Sequence, residues 1–141
     1  MSGPGSRSSH PYLRAYMAGI TIPSMLLVLI LVGFLTGHAL HHGPLPIERV
    51  LVFPTTVGPN LWGLWNMLFV AMPRRRTWPI GLHGASLTLV LVPIAWTVAT
   101  AFSVPFVTIG MVAAVYPFVV VVYYLLWKHG VSFLNEVLGV G

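Results

Sequence analysis

Three histidines and a glutamate crowd one short stretch of this chain: His38, His41 and His42, followed by Glu48, within HALHHGPLPIER. His38, His41 and His42 have helical spacing, so they share a face if the helix persists that far. Neutral imidazoles suit zinc, copper or iron, and a carboxylate can complete the set, so HxxHH with Glu48 is the candidate metal centre. Glu48 with His41 or His42 also has the residue types of an acid–base pair, but no nucleophile is marked beside them. The alternative is a polar helix exit carrying exposed histidines.

A second constellation is aromatic and amidic. Trp62, Trp65, Asn66 and Phe69 follow the i, i+3, i+4, i+7 spacing of one helical stripe, with Asn60 just upstream. Indole N–H and carboxamide groups need partners wherever water is excluded, so this stripe is expected to face protein or a ligand rather than lipid. These five residues are the candidate ligand-binding site, against the simpler reading that Asn66 and the tryptophans hold helices together. His83 and His129, near matching ends of neighbouring apolar runs, have the residue types of a bis-imidazole haem site.

HxxHH also resembles one histidine box of the membrane-bound di-iron desaturases and hydroxylases. The additional boxes of that family are absent, and the threading derived below puts this one on the outer side. The resemblance therefore implies no membership.

Composition narrows the chemistry. The chain of 141 residues has no cysteine, and no aspartate either, which excludes disulfides, thiolate nucleophiles, a Ser-His-Asp triad and aspartate-based metal motifs. No catalytic residue is assigned and no enzyme is expected. No cofactor is required; a metal at the histidines or a haem is what the residue types allow. At 57% hydrophobic and 6% charged, the chain departs far from the ~25% charged residues of soluble domains.

The elements that must position these residues follow from the uncharged runs 15–47, 50–73 and 77–127. One spanning helix needs ~20 apolar residues, so the first two runs supply a span each and the last supplies two. The expected fold is all-α: four transmembrane helices in one membrane domain, at about 17–37, 50–72, 80–102 and 105–127. Residues 1–11 form a disordered N-terminal tail rich in Gly, Ser and Pro. Residues 131–141 form a short interfacial tail with Phe133, Leu134, Val137 and Leu138 on one side and Asn135 and Glu136 on the other. No internal repeat pairs the spans.

The second helix is expected to be short or broken, because Pro54, Gly58 and Pro59 interrupt it. Gly33 and Gly37 form a GxxxG pair on the first helix. Ala95, Ala99 and Ser103 on the third stand level with Gly110 and Ala114 on the fourth, which predicts close packing of those halves. The run 119–122 reads as lipid-facing.

Despite the net charge of +5, the basic residues mark the ends of apolar runs and point to topology rather than nucleic acid. Arg7, Arg14, Arg74, Arg75, Arg76 and Lys128 fall on one side of a four-span model and Arg49 on the other, placing both termini in the cytoplasm. The expected address is a plasma membrane of prokaryotic type, with membrane lipids as partners and a homo-oligomer or partner subunit as a further possibility.

Three functions are consistent with these residues. The first is a non-catalytic protein binding an apolar ligand, a lipid or a partner helix inside the bilayer. The second is an oligomeric channel or facilitator with a discontinuous second helix, lined by Thr55, Thr56, Asn60 and Asn66. The third is an outer-face metal or redox protein using the HxxHH cluster.

Overall fold

The computed structural model describes residues 10–41, 47–72, 77–101 and 108–140; within these, the side chains at 34, 38, 40, 41 and 47–56 lie outside the description. All the described elements are helical: α1 (Pro11–His41), α2 (Ile47–Ala71), α3 (Ile80–Ala101), α4 (Ile109–Leu125), a π-helical stretch Leu126–Val131, and α5 (Ser132–Val137). Three stretches are long and apolar enough to cross a membrane: Pro11–Gly37, Ile80–Ala101 and the continuous helix Ile109–Val137.

Two expectations about helix limits need correction. First, α2 is neither short nor broken: it runs unbroken for 25 residues, about 37 Å at ~1.5 Å per residue. Proline removes one N–H and crowds the carbonyl four residues back, but among packed apolar helices it bends a helix rather than ending it. Here α1 lies antiparallel along α2, their contact being the most extensive in the fold. Second, residues 131–137 do not form a separate tail with Asn135 turned outward: the helix continues through the π-helical stretch, and Val131 and Asn135 are buried.

The π turn explains that burial. Tyr123, Trp127, Val131 and Asn135 are spaced by four, and in a plain α-helix each step drifts by about 40° around the axis. The wider i→i+5 turn at Leu126–Val131 takes part of that drift back. The four side chains thus stay on one face.

Glycines decide where the helices touch. A methyl group at Gly19 would stand 2.6 Å from the Trp62 carbonyl oxygen and 2.8 Å from Gly63 Cα, so α1 and α2 meet backbone to backbone. At Gly84 a Cβ would fall 1.9 Å from Trp127 Cγ, and at Gly81 it would fall 2.7 Å from the Tyr124 ring. Gly84 is the seat on which the fully buried Trp127 lies. By contrast, among the described residues nothing lies within 4 Å of the Cβ positions of Gly33, Gly37 or Gly110. The close contact that the GxxxG pair would allow is made with none of the described residues. The halves of α3 and α4 around Ala95, Ala99 and Met111 enclose a cavity of about 250 Å³ instead of packing closely.

The core consequently gathers at one end of the bundle, around Trp62, Leu87, Leu91, Trp127 and Val131. Gly84→Ala and Gly19→Ala are expected to destabilise the protein by about 1–3 kcal/mol each through overpacking, read as a lowered thermal midpoint in detergent. Gly33→Ala should leave the midpoint unchanged or raised, since alanine is the better helix former. Equal losses at all three positions would contradict this packing.

Candidate functional site

The stripe on α2 meets three other helices at the end of the bundle where the chain's described part begins. Asn66 is fully buried. Its Nδ2 donates to the Ala15 carbonyl at 2.7 Å and to Asn135 Oδ1 at 2.8 Å, while Asn135 Nδ2 donates back to Asn66 Oδ1 at 3.1 Å. The two amides form a closed pair that also holds the backbone of α1. Asn66, a lining residue in the channel reading, faces no path: both its amide protons and its oxygen are taken up by protein.

Next to this pair, Trp65 and His83 exchange hydrogen bonds across α2 and α3. Trp65 Nε1 donates to the His83 carbonyl at 2.8 Å, and His83 Nε2 lies 2.9 Å from the Trp65 carbonyl. A carbonyl only accepts, so Nε2 carries the proton. The two rings stack at 5.3 Å with 23° between planes, and Phe69 meets the same imidazole at 5.1 Å. Trp127 closes the cluster, with ring centroids 5.7 Å from His83 and 5.5 Å from Trp62. Its Nε1 is the one buried side-chain polar atom without a hydrogen-bond partner among the described residues.

Trp62 is the member of the stripe that reaches beyond the cluster. Its ring packs on Tyr123 at 5.0 Å and its Nε1 donates to the Tyr123 hydroxyl at 3.3 Å. Both residues line a cavity of about 360 Å³ to which every long helix contributes: Leu26 and Ile30 from α1, Pro59 from α2, Leu91 from α3 and Val122 from α4. Val119 and Val122 belong to this lining, so the run read as wholly lipid-facing divides, with Val121 outward. The volume is within the ~300–1,000 Å³ of small-molecule sites.

The remaining expected residues are distributed as follows. Asn60 is exposed and accepts from the Tyr16 hydroxyl, away from the cavity lining. His83 and His129 are not brought together: His83 is buried in the aromatic cluster with Nε2 engaged, and His129 is exposed, so they do not fit a haem. The proposed metal set falls outside the described residues, as His42 is not described and the side chains of His38, His41 and Glu48 are not either. Among the described residues no cluster of three or more His, Cys, Asp or Glu is placed to hold a metal. Thr55 and Thr56 likewise fall outside.

Sequence reasoning did not find Tyr123, Trp127 and Asn135 as members of the site. Their common spacing of four with Val131 was the available signal. No family model, curated protein or solved structure matches the chain.

Asn66→Leu or Asn135→Leu alone strands a buried amide and is expected to cost about 1–3 kcal/mol. The double variant removes both groups, so its loss should fall short of the summed single losses by about 0.6–1.7 kcal/mol, the range of hydrogen-bond couplings between membrane helices. Chemical denaturation in micelles measures this cycle, and strict additivity would show that the amides do not interact.

Proposed function

We propose that this chain is a non-catalytic, four-span membrane protein that holds an apolar molecule in the cavity above Trp62. The observation that carries the reading is that cavity, floored by a fixed indole and walled by aliphatic side chains from α1, α2, α3 and α4. An apolar void of this size open toward a bilayer is filled by something apolar, because neither water nor vacuum offers its walls the dispersion contacts they lack.

Surface chemistry supports the membrane setting. Met25, Val28, Leu29, Ile30 and Val32 are exposed in succession around α1, and Ile109, Val115, Phe118 and Val121 are exposed on α4. A helix apolar on every side and not covered by protein needs an apolar solvent. Hydroxyls on these helices are satisfied from within, as with Thr21 to the Met17 carbonyl at 2.7 Å and Thr97 to the Pro93 carbonyl at 2.9 Å. At 25 residues α2 has the length to serve as the fourth span. The excess of basic residues at the Asn66 end makes that end cytoplasmic, with both termini on that side.

Holding rather than converting fits the lining. It contains no acid, no base and no cation, so a neutral apolar molecule, a lipid chain or a ligand of similar character, is what it can accept.

Ala95 projects into this cavity from α3. Ala95→Phe is expected to fill the space and release the occupant, whereas Leu29→Phe, on the exposed side of α1, is expected to leave it. Mass spectrometry of apolar molecules retained per protein after extraction and delipidation checks this. A stoichiometric species in the wild type and in Leu29→Phe, lost from Ala95→Phe, is the expected result. The same non-stoichiometric lipid on all three proteins would refute the reading.

A further inference from the structure

The cavity has one polar feature that a plain hydrocarbon chain would leave unused. A phenolic hydroxyl is one donor and an acceptor. The Tyr123 oxygen accepts from Trp62 Nε1, which turns its own O–H away from the indole, and among the described residues no acceptor takes that proton. The other hydroxyl in the lining, on Thr88, is spent: it stands 2.7 Å from the Ala85 carbonyl and 3.3 Å from the Tyr116 hydroxyl. The lining therefore offers a single free donor, sharpened as a donor because its oxygen is itself receiving a hydrogen bond.

Depth restricts what can meet it. Trp62 sits near the middle of the uncharged run 50–73, and Tyr123, hydrogen-bonded to it, shares that level. The ester carbonyls of a glycerolipid sit at the rim of a hydrocarbon core ~30 Å thick, so about 15 Å from its centre. They do not reach a donor at that level. A carboxylate is excluded on charge, since no cation faces the cavity to offset its desolvation. A carbonyl oxygen on a molecule that is apolar throughout satisfies every condition: it accepts, carries no charge and dissolves at the bilayer centre.

Building on the reading that this cavity holds an apolar molecule, we infer that its occupant is a lipid-soluble carbonyl compound, a long-chain ketone or a quinone, whose oxygen accepts the Tyr123 hydroxyl. The Trp62 indole orients the phenol, and Leu26, Ile30, Leu91 and Val122 contact the apolar body. Tyr123→Phe keeps the ring contact with Trp62 and the cavity shape but deletes the donor.

The test uses the full chain in phospholipid nanodiscs with two probes: a symmetric long-chain ketone isotope-labelled at its carbonyl, and the alkane of equal length. One hydrogen bond to a neutral acceptor corresponds to roughly threefold to tenfold in affinity. The ketone is expected to bind that much more tightly than the alkane, and Tyr123→Phe to erase the difference. The bound ketone should show a saturable carbonyl infrared band shifted to low frequency, absent from empty discs and from Tyr123→Phe. An unshifted band, or a ketone preference that survives in Tyr123→Phe, overturns the inference. The wild-type band decides the matter even if the variant fails to fold. Equal binding of both probes, or phospholipid retained against both, removes the carbonyl assignment but leaves an apolar cavity in use. Binding of neither probe by a protein that holds no lipid there removes the underlying reading as well.

Discussion

Two carboxamides facing each other where no water reaches set the terms for the rest of this structure. Asn66 and Asn135 are 69 residues apart in sequence, yet each supplies what the other lacks, and Ala15 takes the remaining proton of Asn66. In an apolar surround an unpaired amide is costly, so α1, α2 and α5 are held at one mutual height and rotation. The Trp65–His83 exchange fixes α3 against α2 in the same plane. Trp127, seated on Gly84, then has one place to go.

From that locked end the remainder follows. The helices approach closely where glycine permits, at Gly19, Gly63, Gly81 and Gly84, and all of these lie near the amide pair. Farther along, Leu26, Ile30, Leu91 and Val119 stand between the axes, and Pro23 and Pro93 lie inside α1 and α3. The halves of α3 and α4 remote from the amides enclose a cavity instead of packing closely. The same packing that rigidifies one end leaves space at the other, and Trp62 and Tyr123 sit at the boundary between them, each belonging to both regions. A protein built this way can present a fixed polar point to a molecule in an otherwise deformable apolar cleft.

How far the sequence disclosed this depended on the range of each signal. Apolar run length is a local property, and it located α2 and α3 within a few residues, whereas α1 begins six residues earlier and the last helix continues ten residues farther than expected. The α2 stripe was legible because its spacing lies within two turns, and Trp62 and Asn66 are indeed buried. Proline at 54 and 59 pointed to a break because the local rule concerns an isolated helix, whereas α1 supports α2 along this stretch. Small residues announce that close approach is allowed, not where it happens. Gly33 and Gly37 matched the familiar pattern and touch none of the described residues, while Gly19 and Gly84 matched none and carry close contacts. Asn135 was assigned to water because its partner lies far away in sequence and because a π turn, which local periodicity does not reveal, rotates it inward.

The account stands on the amide pair being formed and dry in the bilayer, which side-chain hydrogen exchange reports directly. With Asn66 and Asn135 labelled by nitrogen-15 and the chain in nanodiscs, transfer to heavy water should leave both carboxamide signals protected long after that of a free asparagine amide under the same conditions has vanished. Loss of both signals at the free-amide rate would mean that water reaches the pair, and the locked end described here would not exist.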